Sequence, residues 1–286
     1  MKIPFRFQAV TLGAFHTAFL GTPVRTVFAG TVLFAGLVIV LRGFGVSDVW
    51  CASLPTATLV IVSAAILYDR NEKHYRQIEA MVRLANALNL KAPLPPLRAW
   101  RLAPDAGAIL VQWLRRKPPQ NVVEIGCGVS TILTASILKE QGSGTVYALE
   151  HDADQAMRCR QQLELMNLDG HAKVIHAPLV DHFIDGKHWR WYDLAEWSDA
   201  IDIDLLLVDG PPVWTQPAAR YPALPLLYDR FTPDCVVLMD DANRRSERAV
   251  LARWKREFSQ WTWKDELTED GLLVGTQGVV QQGLRS

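Results

Sequence analysis

Three carboxylates, Asp209, Asp240 and Asp241, follow two short apolar runs, Leu205 to Val208 and Val236 to Met239. If those runs are neighbouring strands of an open α/β sheet, their carboxyl ends share the rim where such sheets bind ligands, and the three acids converge. Left unpaired, the cluster would repel itself and raise at least one pKa, so it calls for a cation or a role in proton transfer. Magnesium takes oxygen ligands and keeps several waters, which makes Asp209, Asp240 and Asp241 the candidate ligands of a divalent ion. In a metal-free site Asp241 is the expected general base. A blander reading has Asp240 and Asp241 cap the following helix.

A second pattern begins at Val122. An apolar run carrying Glu124 leads into Gly126, Cys127 and Gly128, and Val129 to Leu133 continues as a helix. Glycines there permit unusual dihedrals and a close backbone approach by a ligand. Glu150 ends the next β-rich run, where a carboxylate can accept hydrogen bonds from both ribose hydroxyls of an adenosyl ligand. A dinucleotide site would want a third glycine, but Thr131 stands there, leaving poorer room for a pyrophosphate; NAD is the second choice of cofactor. Glu124 is read first as a cofactor-side residue and second as a strand-end carboxylate satisfied by a backbone amide. Cys127 is most simply a small packing residue. His151 and His176 lack metal-ligand spacing and read as structural or rim residues. His182 and His188 are general-base candidates without a defined partner. Trp100, Trp189, Trp191 and Trp197 read as core or lid aromatics.

These residues need a scaffold. After Pro118 and Pro119, β-rich runs alternate with helical stretches, the signature of a parallel sheet with crossover helices. Strands are expected at 121–125, 145–150, 172–176, 203–209, 234–240 and 272–276, and helices at 103–115, 131–141, 153–166, 220–230 and 246–258. The aromatic-rich segment 180–197 falls outside the alternation and reads as an excursion over the active-site edge.

Taken in order, Glu124-x-Gly126-x-Gly128, Leu149 to Asp152, Ala177 to Leu179, Leu207 to Pro212 and Val237 to Arg244 resemble class I S-adenosylmethionine-dependent methyltransferases. Within that group the likeness is to the small-molecule and glycan O-methyltransferase-like branch with DGP and DD-x-x-R motifs. It covers roughly Arg98 to Gln277 and implies a Rossmann-like α/β fold, a seven-stranded mixed sheet in the order 3-2-1-4-5-7-6 with the last strand antiparallel. Carried over by position, Glu124, Gly126, Cys127, Gly128 and Ser130 would line the methionine end of S-adenosylmethionine. Glu150, with His151 beside it, would hold the ribose, and Ala177, Pro178 and Leu179 would border the adenine. Asp209 would face the same site. Arg220 matches an arginine after the DGP motif and would contact an anionic or glycan substrate; a surface salt bridge is the competing role. Similar metal-dependent catechol-type enzymes place Asp and Asp-Asn at the corresponding strand ends. Here Asp241 stands where they have Asn, and Gly210 to Pro212 replaces the stretch with their catalytic lysine. The implied activity is O-methylation of a hydroxyl on a small-molecule, glycan or lipid-linked acceptor. An NAD-linked oxidoreductase and a non-catalytic membrane scaffold are the other readings.

The first quarter of the chain differs. Uncharged apolar stretches predict an N-terminal transmembrane hairpin, helices 24–42 and 49–68, joined by the short connector Gly43 to Asp48. Lys2, Arg6 and Arg25 before it and Arg70, Lys73, Arg76 and Arg83 after it, against Arg42 between, place both ends in the cytoplasm at the inner membrane. A signal peptide, a buried helical hairpin and an in-plane anchor at Phe5 to Leu20 are weaker alternatives. Tyr75, Ile78, Val82, Ala85 and Leu88 then recur at helical spacing, a stripe that would pack on the catalytic domain or on a second copy in a homo-oligomer. Prolines at 93, 95 and 96 end that helix. The expected organisation is a membrane anchor at 1–68, a helix and linker at 69–97 and a catalytic domain at 98–286. Lys plus Arg number 30 and Asp plus Glu 30, so no positive field exists for nucleic acid. Cys51, Cys127, Cys159 and Cys235 form no CxxC pair, against zinc and against a disulfide framework.

Overall fold

The computed structural model describes residues 34–88, 102–195, 197 and 201–277. The chain divides into two compact units, Met1–Lys73 and His74–Ser286. Phe5 to Leu20, the start of the first expected span, the proline segment after Lys91 and Trp100 lie outside the described residues.

In the first unit, helix α1 (Phe34–Gly43) ends in a turn where Gly45 takes φ +74°, Gly45 N donates to Arg42 O at 3.0 Å and Val46 N to Leu41 O at 3.1 Å. This left-handed glycine satisfies carbonyls that the helix end would otherwise orphan. Helix α2 (Asp48–Ala87) follows at once, with Arg42 and Asp48 paired at 2.9 Å. Its 40 residues span about 60 Å at 1.5 Å per residue. The apolar portion has a mean hydropathy of 1.9 over 18 residues, long and apolar enough to cross a membrane by length and composition. Leu59, Val60, Ile61, Val62 and Leu67 on it are exposed. Pro55 interrupts the hydrogen-bond ladder. The helix runs unbroken past residue 69, because no glycine or proline lies between Thr56 and Ala87 and Asp69 pairs with Lys73 one turn on at 2.8 Å.

The second unit begins within α2, and there the sequence pattern misleads. The buried residues are Gln77, Ala80, Leu84 and Leu88, while Tyr75, Ile78 and Val82 are exposed. Gln77 can face inward because its side-chain oxygen accepts from Asp105 N at 3.3 Å. Polarity therefore concealed the packing face, which a satisfied amide makes tolerable.

The sheet contains β1 (Asn121–Ile125), β2 (Thr145–Glu150), β3 (Ala172–His176), β6 (Ile203–Val208), β7 (Phe231–Met239), β8 (Trp261–Glu266) and β9 (Leu272–Gln277). Their order is β3-β2-β1-β6-β7-β9-β8, with β9 antiparallel to both neighbours. Leaving out the separate pair β4 (Leu179–Ile184) and β5 (Lys187–Tyr192), this is the expected 3-2-1-4-5-7-6. It is a Rossmann-like α/β fold.

Alternate strand residues feed opposite faces, as the period of two requires. Val122, Val146, Leu205 and Leu238 pack with α3 (Pro104–Arg116), α4 (Val129–Gln141) and α5 (Ala153–Leu165). Val123, Leu149, Leu206 and Val237 pack with α6 (Ala223–Leu227), α7 (Arg245–Glu257) and the buried residues of β5.

Three elements differ from expectation. The segment read as an excursion is an antiparallel hairpin whose turn, Asp185-Gly186, has φ +50° and +73°. Aspartate-glycine with both residues left-handed suits a two-residue hairpin turn. Strand β8 was missed because Lys264, Asp265 and Glu266 mask its pairing with β9. Helix α6 is shorter than the expected 220–230, continuing only as the 3-10 turn Tyr228–Arg230.

Candidate active site

The chain leaves β1 through Gly126, whose φ of +95° lies in the left-handed region. A Cβ on Gly126 would stand 3.3 Å from Asp209 O, so the glycine also serves the packing of β1 on β6. Gly128 is different: a Cβ there would meet nothing within 4 Å. The open side of the turn is at Gly128.

Beneath the turn, Glu124 is buried and takes hydrogen bonds from the Ser130 hydroxyl and, at 2.7 Å, from Thr131 Oγ1. Thr131 Oγ1 in turn accepts from Gly128 N at 3.0 Å. The residue that replaces the third glycine thus fixes the turn from below. Side-chain hydroxyls, rather than a backbone amide, satisfy Glu124. Burial pushes its carboxyl up to about 8 against the lowering effect of both hydroxyls.

Glu150, at the end of β2, accepts from Cys127 N at 3.1 Å and Asp152 N at 2.9 Å, with His151 Nδ1 2.9 Å away. Burial alone would raise its pKa, but His151 and the two amides outweigh that and hold it below the usual range. Glu150 therefore remains an anion beside the open turn. Ala177 is buried, Pro178 exposed and Leu179 half-buried where β3 passes into β4. His176 and His188 are exposed, and His182 Nε2 is bonded to Tyr192 O at 2.9 Å.

Asp209, Asp240 and Asp241 do converge, with ligand-capable oxygens within 4.8 Å of one another. A cation does stand among them, the buried guanidinium of Arg220. Arg220 Nη2 donates to Asp241 Oδ2 at 2.6 Å and to Asp209 Oδ1 at 3.1 Å, and Nη1 donates to Asp240 O at 2.6 Å. Arg244 adds a second cation to Asp241 at 2.7 Å. Arg220 is 3% exposed, so its surface role is excluded. The capping role also falls, since Arg244 is the N-cap of α7 and no side chain caps it. The guanidinium already uses Asp209 Oδ1 and Asp241 Oδ2, whereas Asp240 Oδ1 is buried without a hydrogen-bond partner. Burial pushes Asp209 up to about 7, with Arg220 opposing and Asp241 and Glu124 reinforcing. Burial first, and Asp209 and Asp241 next, hold Asp240 well above the usual carboxylate range against the lowering effect of Arg220.

The doubly wound sheet carries a glycine turn after its first strand and an acidic residue at the end of its second. Residues 123–242 match the family described as "Methyltransferase domain". No curated protein matches the chain significantly. Among solved structures, the O-methyltransferase from Bacillus cereus in complex with S-adenosylhomocysteine is 19% identical over 71% of this chain and 90% of its own, with a TM-score of 0.49. An O-methyltransferase of tomaymycin synthesis from Streptomyces achromogenes, in complex with S-adenosylmethionine, is 16% identical over 70% and 89%, at 0.46. The Podospora anserina methyltransferase bound to S-adenosylhomocysteine is 12% identical over 63% and 81%, at 0.48.

Proposed function

We propose that this chain is a membrane-anchored O-methyltransferase that uses S-adenosylmethionine to methylate a hydroxyl on a small-molecule, glycan or lipid-linked acceptor close to the bilayer. The observation that carries the reading is the pairing of an open glycine turn at Gly128 with the permanently anionic Glu150 beside it. Glu150 would hold the ribose hydroxyls. The backbone of Gly126, Cys127 and Gly128 would border the methionine end, with Glu124 and Ser130 bracing the turn, and Ala177 to Leu179 would flank the adenine. When bound, the cofactor supplies an electrophilic methyl group on a sulfonium. The protein's part is to orient the acceptor and receive its proton.

We assign that proton to Asp209 rather than Asp241. Asp241 is tied to two guanidiniums, whereas the Asp209 side chain is 21% exposed and titrates near neutrality. Arg220 positions Asp209 and completes the charge balance without a divalent ion, so activity in EDTA should equal activity with magnesium. The apolar length of α2 supports a membrane anchor with the catalytic unit on the cytoplasmic side. The deciding experiment is thermal melting of the full detergent-solubilised chain with S-adenosylhomocysteine or with NAD. A ligand at a hundred times its Kd adds about 2.7 kcal/mol of stability. Stabilisation by S-adenosylhomocysteine alone is expected; stabilisation by NAD alone, or by neither, would overturn the assignment.

A further inference from the structure

Along α2 the residues Tyr75, Ile78, Val82 and Ala85 stay exposed among the described residues, Tyr75 by 60%, Ile78 by 62% and Val82 by 53%. The stripe that packs inward, Gln77, Ala80, Leu84 and Leu88, is centred about 130° round the helix at 3.6 residues per turn. The helix therefore carries a second face that its own chain leaves uncovered. Single exposed apolar residues are ordinary on a protein surface, whereas a contiguous apolar patch marks an interaction site. Here the spacing alternates between three and four residues, and it runs back through Asn71, Tyr68 and Ala64 to Ile61, all exposed. Apolar residues repeating every 3.5 positions form the seam of a coiled coil.

Lipid does not account for the outer part of this seam. Asp69, Arg70, Glu72 and Lys73 end the apolar run before Tyr75, and Val82 lies about 20 Å along the helix from Tyr68 at 1.5 Å per residue. The charges beside the seam select the occupant. With Ile61, Tyr68, Tyr75 and Val82 at the first heptad position, Glu72 and Glu79 take the fifth and His74 the seventh, the positions that flank the seam. In a parallel pair of copies each seventh position meets the fifth position of the partner's following heptad. A His74 N–H then donates to the partner's Glu79 carboxylate, twice by two-fold symmetry. An antiparallel pair would instead oppose glutamate to glutamate. Anchoring in one bilayer also points two copies in the same direction, in agreement with the charges.

We propose that α2 binds a second copy of this chain, parallel and in register, through the seam from Ile61 to Ala85, and that the two helices form a coiled coil. The inference does not need the methyltransferase reading of the site. It gives the two stripes of one helix separate tasks: Ala80 and Leu84 hold the domain of their own chain, and Ile78 and Val82 hold the other copy.

The test is light scattering of the full detergent-solubilised chain, together with oxidative cross-linking by copper phenanthroline. The parent should be a dimer. Ile78→Glu combined with Val82→Glu should be a monomer, because four carboxylates would then crowd one apolar seam, while Arg83→Glu, a charge change outside the seam, should stay dimeric. Cross-linking places the contact, using variants that also carry Cys51→Ser. Val82→Cys should yield a product of twice the chain mass, since equivalent seam positions of a parallel pair come within the roughly 7 Å between Cα atoms that a disulfide spans. Arg83→Cys, one residue round the helix, should not. A monomeric parent, or a dimer that survives Ile78→Glu with Val82→Glu, would overturn the proposal. So would equal cross-linking through positions 82 and 83, or a Val82→Cys product of any other mass, as for a different partner.

Discussion

Glu150 ends β2 and Asp209 directly follows β6, the two strands that flank β1, on the same rim of the same sheet, yet their surroundings shift them in opposite directions. Glu150 is surrounded by donors close in the chain, His151 and Asp152 N, and by Cys127 N of the adjoining turn. Together they overcome burial and keep a fixed negative charge. Asp209 shares one guanidinium with Asp241, and burial wins. The contrast separates two tasks. A ribose-binding carboxylate should never titrate at working pH, whereas a base works best when its pKa lies near it.

The strongest way to break this comparison is to remove Arg220. Arg220→Met would leave Asp209, Asp240 and Asp241 crowded, with only the half-exposed Arg244 to offset them. Breaking a buried ion pair by deleting one partner costs about 3 to 5 kcal/mol. The equivalent change beside Glu150, His151→Ala, removes a partner that is 31% exposed and should cost less than about 1 kcal/mol. Urea unfolding of both variants checks this. An Arg220→Met midpoint equal to that of His151→Ala would mean that the two clusters are held alike.

A second contrast lies within the glycine turn. Gly126→Ala meets both a left-handed backbone and Asp209 O at 3.3 Å, and strain of this kind costs about 1 to 3 kcal/mol. Gly128→Val finds open space and an extended φ of 176°, so it should spare stability and weaken S-adenosylhomocysteine binding. Melting and calorimetry on the pair separate the residue that shapes the turn from the one that admits the ligand. If Gly128→Val bound as tightly as the parent, the open side would not be where the ligand lies.

The sequence made the first half of the site legible and the second half only in part, for a physical reason. Gly126, Gly128 and Glu150 act through backbone conformation and strand ends, and both are local properties that spacing reveals. Strands β1, β2 and β3 were likewise readable to the residue, because buried parallel strands are short apolar runs between turns. Arg220 reaches its partners across 11, 20 and 21 positions of chain, and nothing in its neighbours marks it as buried. The convergence of the carboxylates was foreseeable; the guanidinium buried among them was not. The hairpin was missed although Asp185-Gly186 signals it, because its aromatic strands fit no alternation of strand and helix. On α2 the apolar stripe pointed to Tyr75, Ile78 and Val82, and a satisfied Gln77 decided otherwise.

The smallest expected effect is the most informative about Asp209, because it links stability to activity. Asp209 is raised from 3.8 to about 7 and Glu124 from 4.5 to about 8, so each holds its proton more tightly in the folded chain than in the unfolded one. Between about pH 5 and 8 the folded state binds more protons, and stability must fall as pH rises, by about 1.4 kcal/mol per pH unit for each of the two groups while both are protonated only in the folded chain. Activity should move the other way, since a base at Asp209 works only when ionised; kcat should climb through about pH 7. Two variants divide the effects. Asp209→Asn should flatten part of the stability slope and abolish the rise in kcat. Glu124→Gln should flatten the other part and, because Glu124 reinforces the raised pKa of Asp209, shift the midpoint of the kcat profile to slightly lower pH while keeping the rise itself, since Glu124 braces the turn through Ser130 and Thr131 and takes no proton from the acceptor. A kcat profile that is flat across this range in the parent, or one that still rises through about pH 7 in Asp209→Asn, would take the base away from Asp209 and leave its raised pKa as no more than the consequence of a crowded, buried rim.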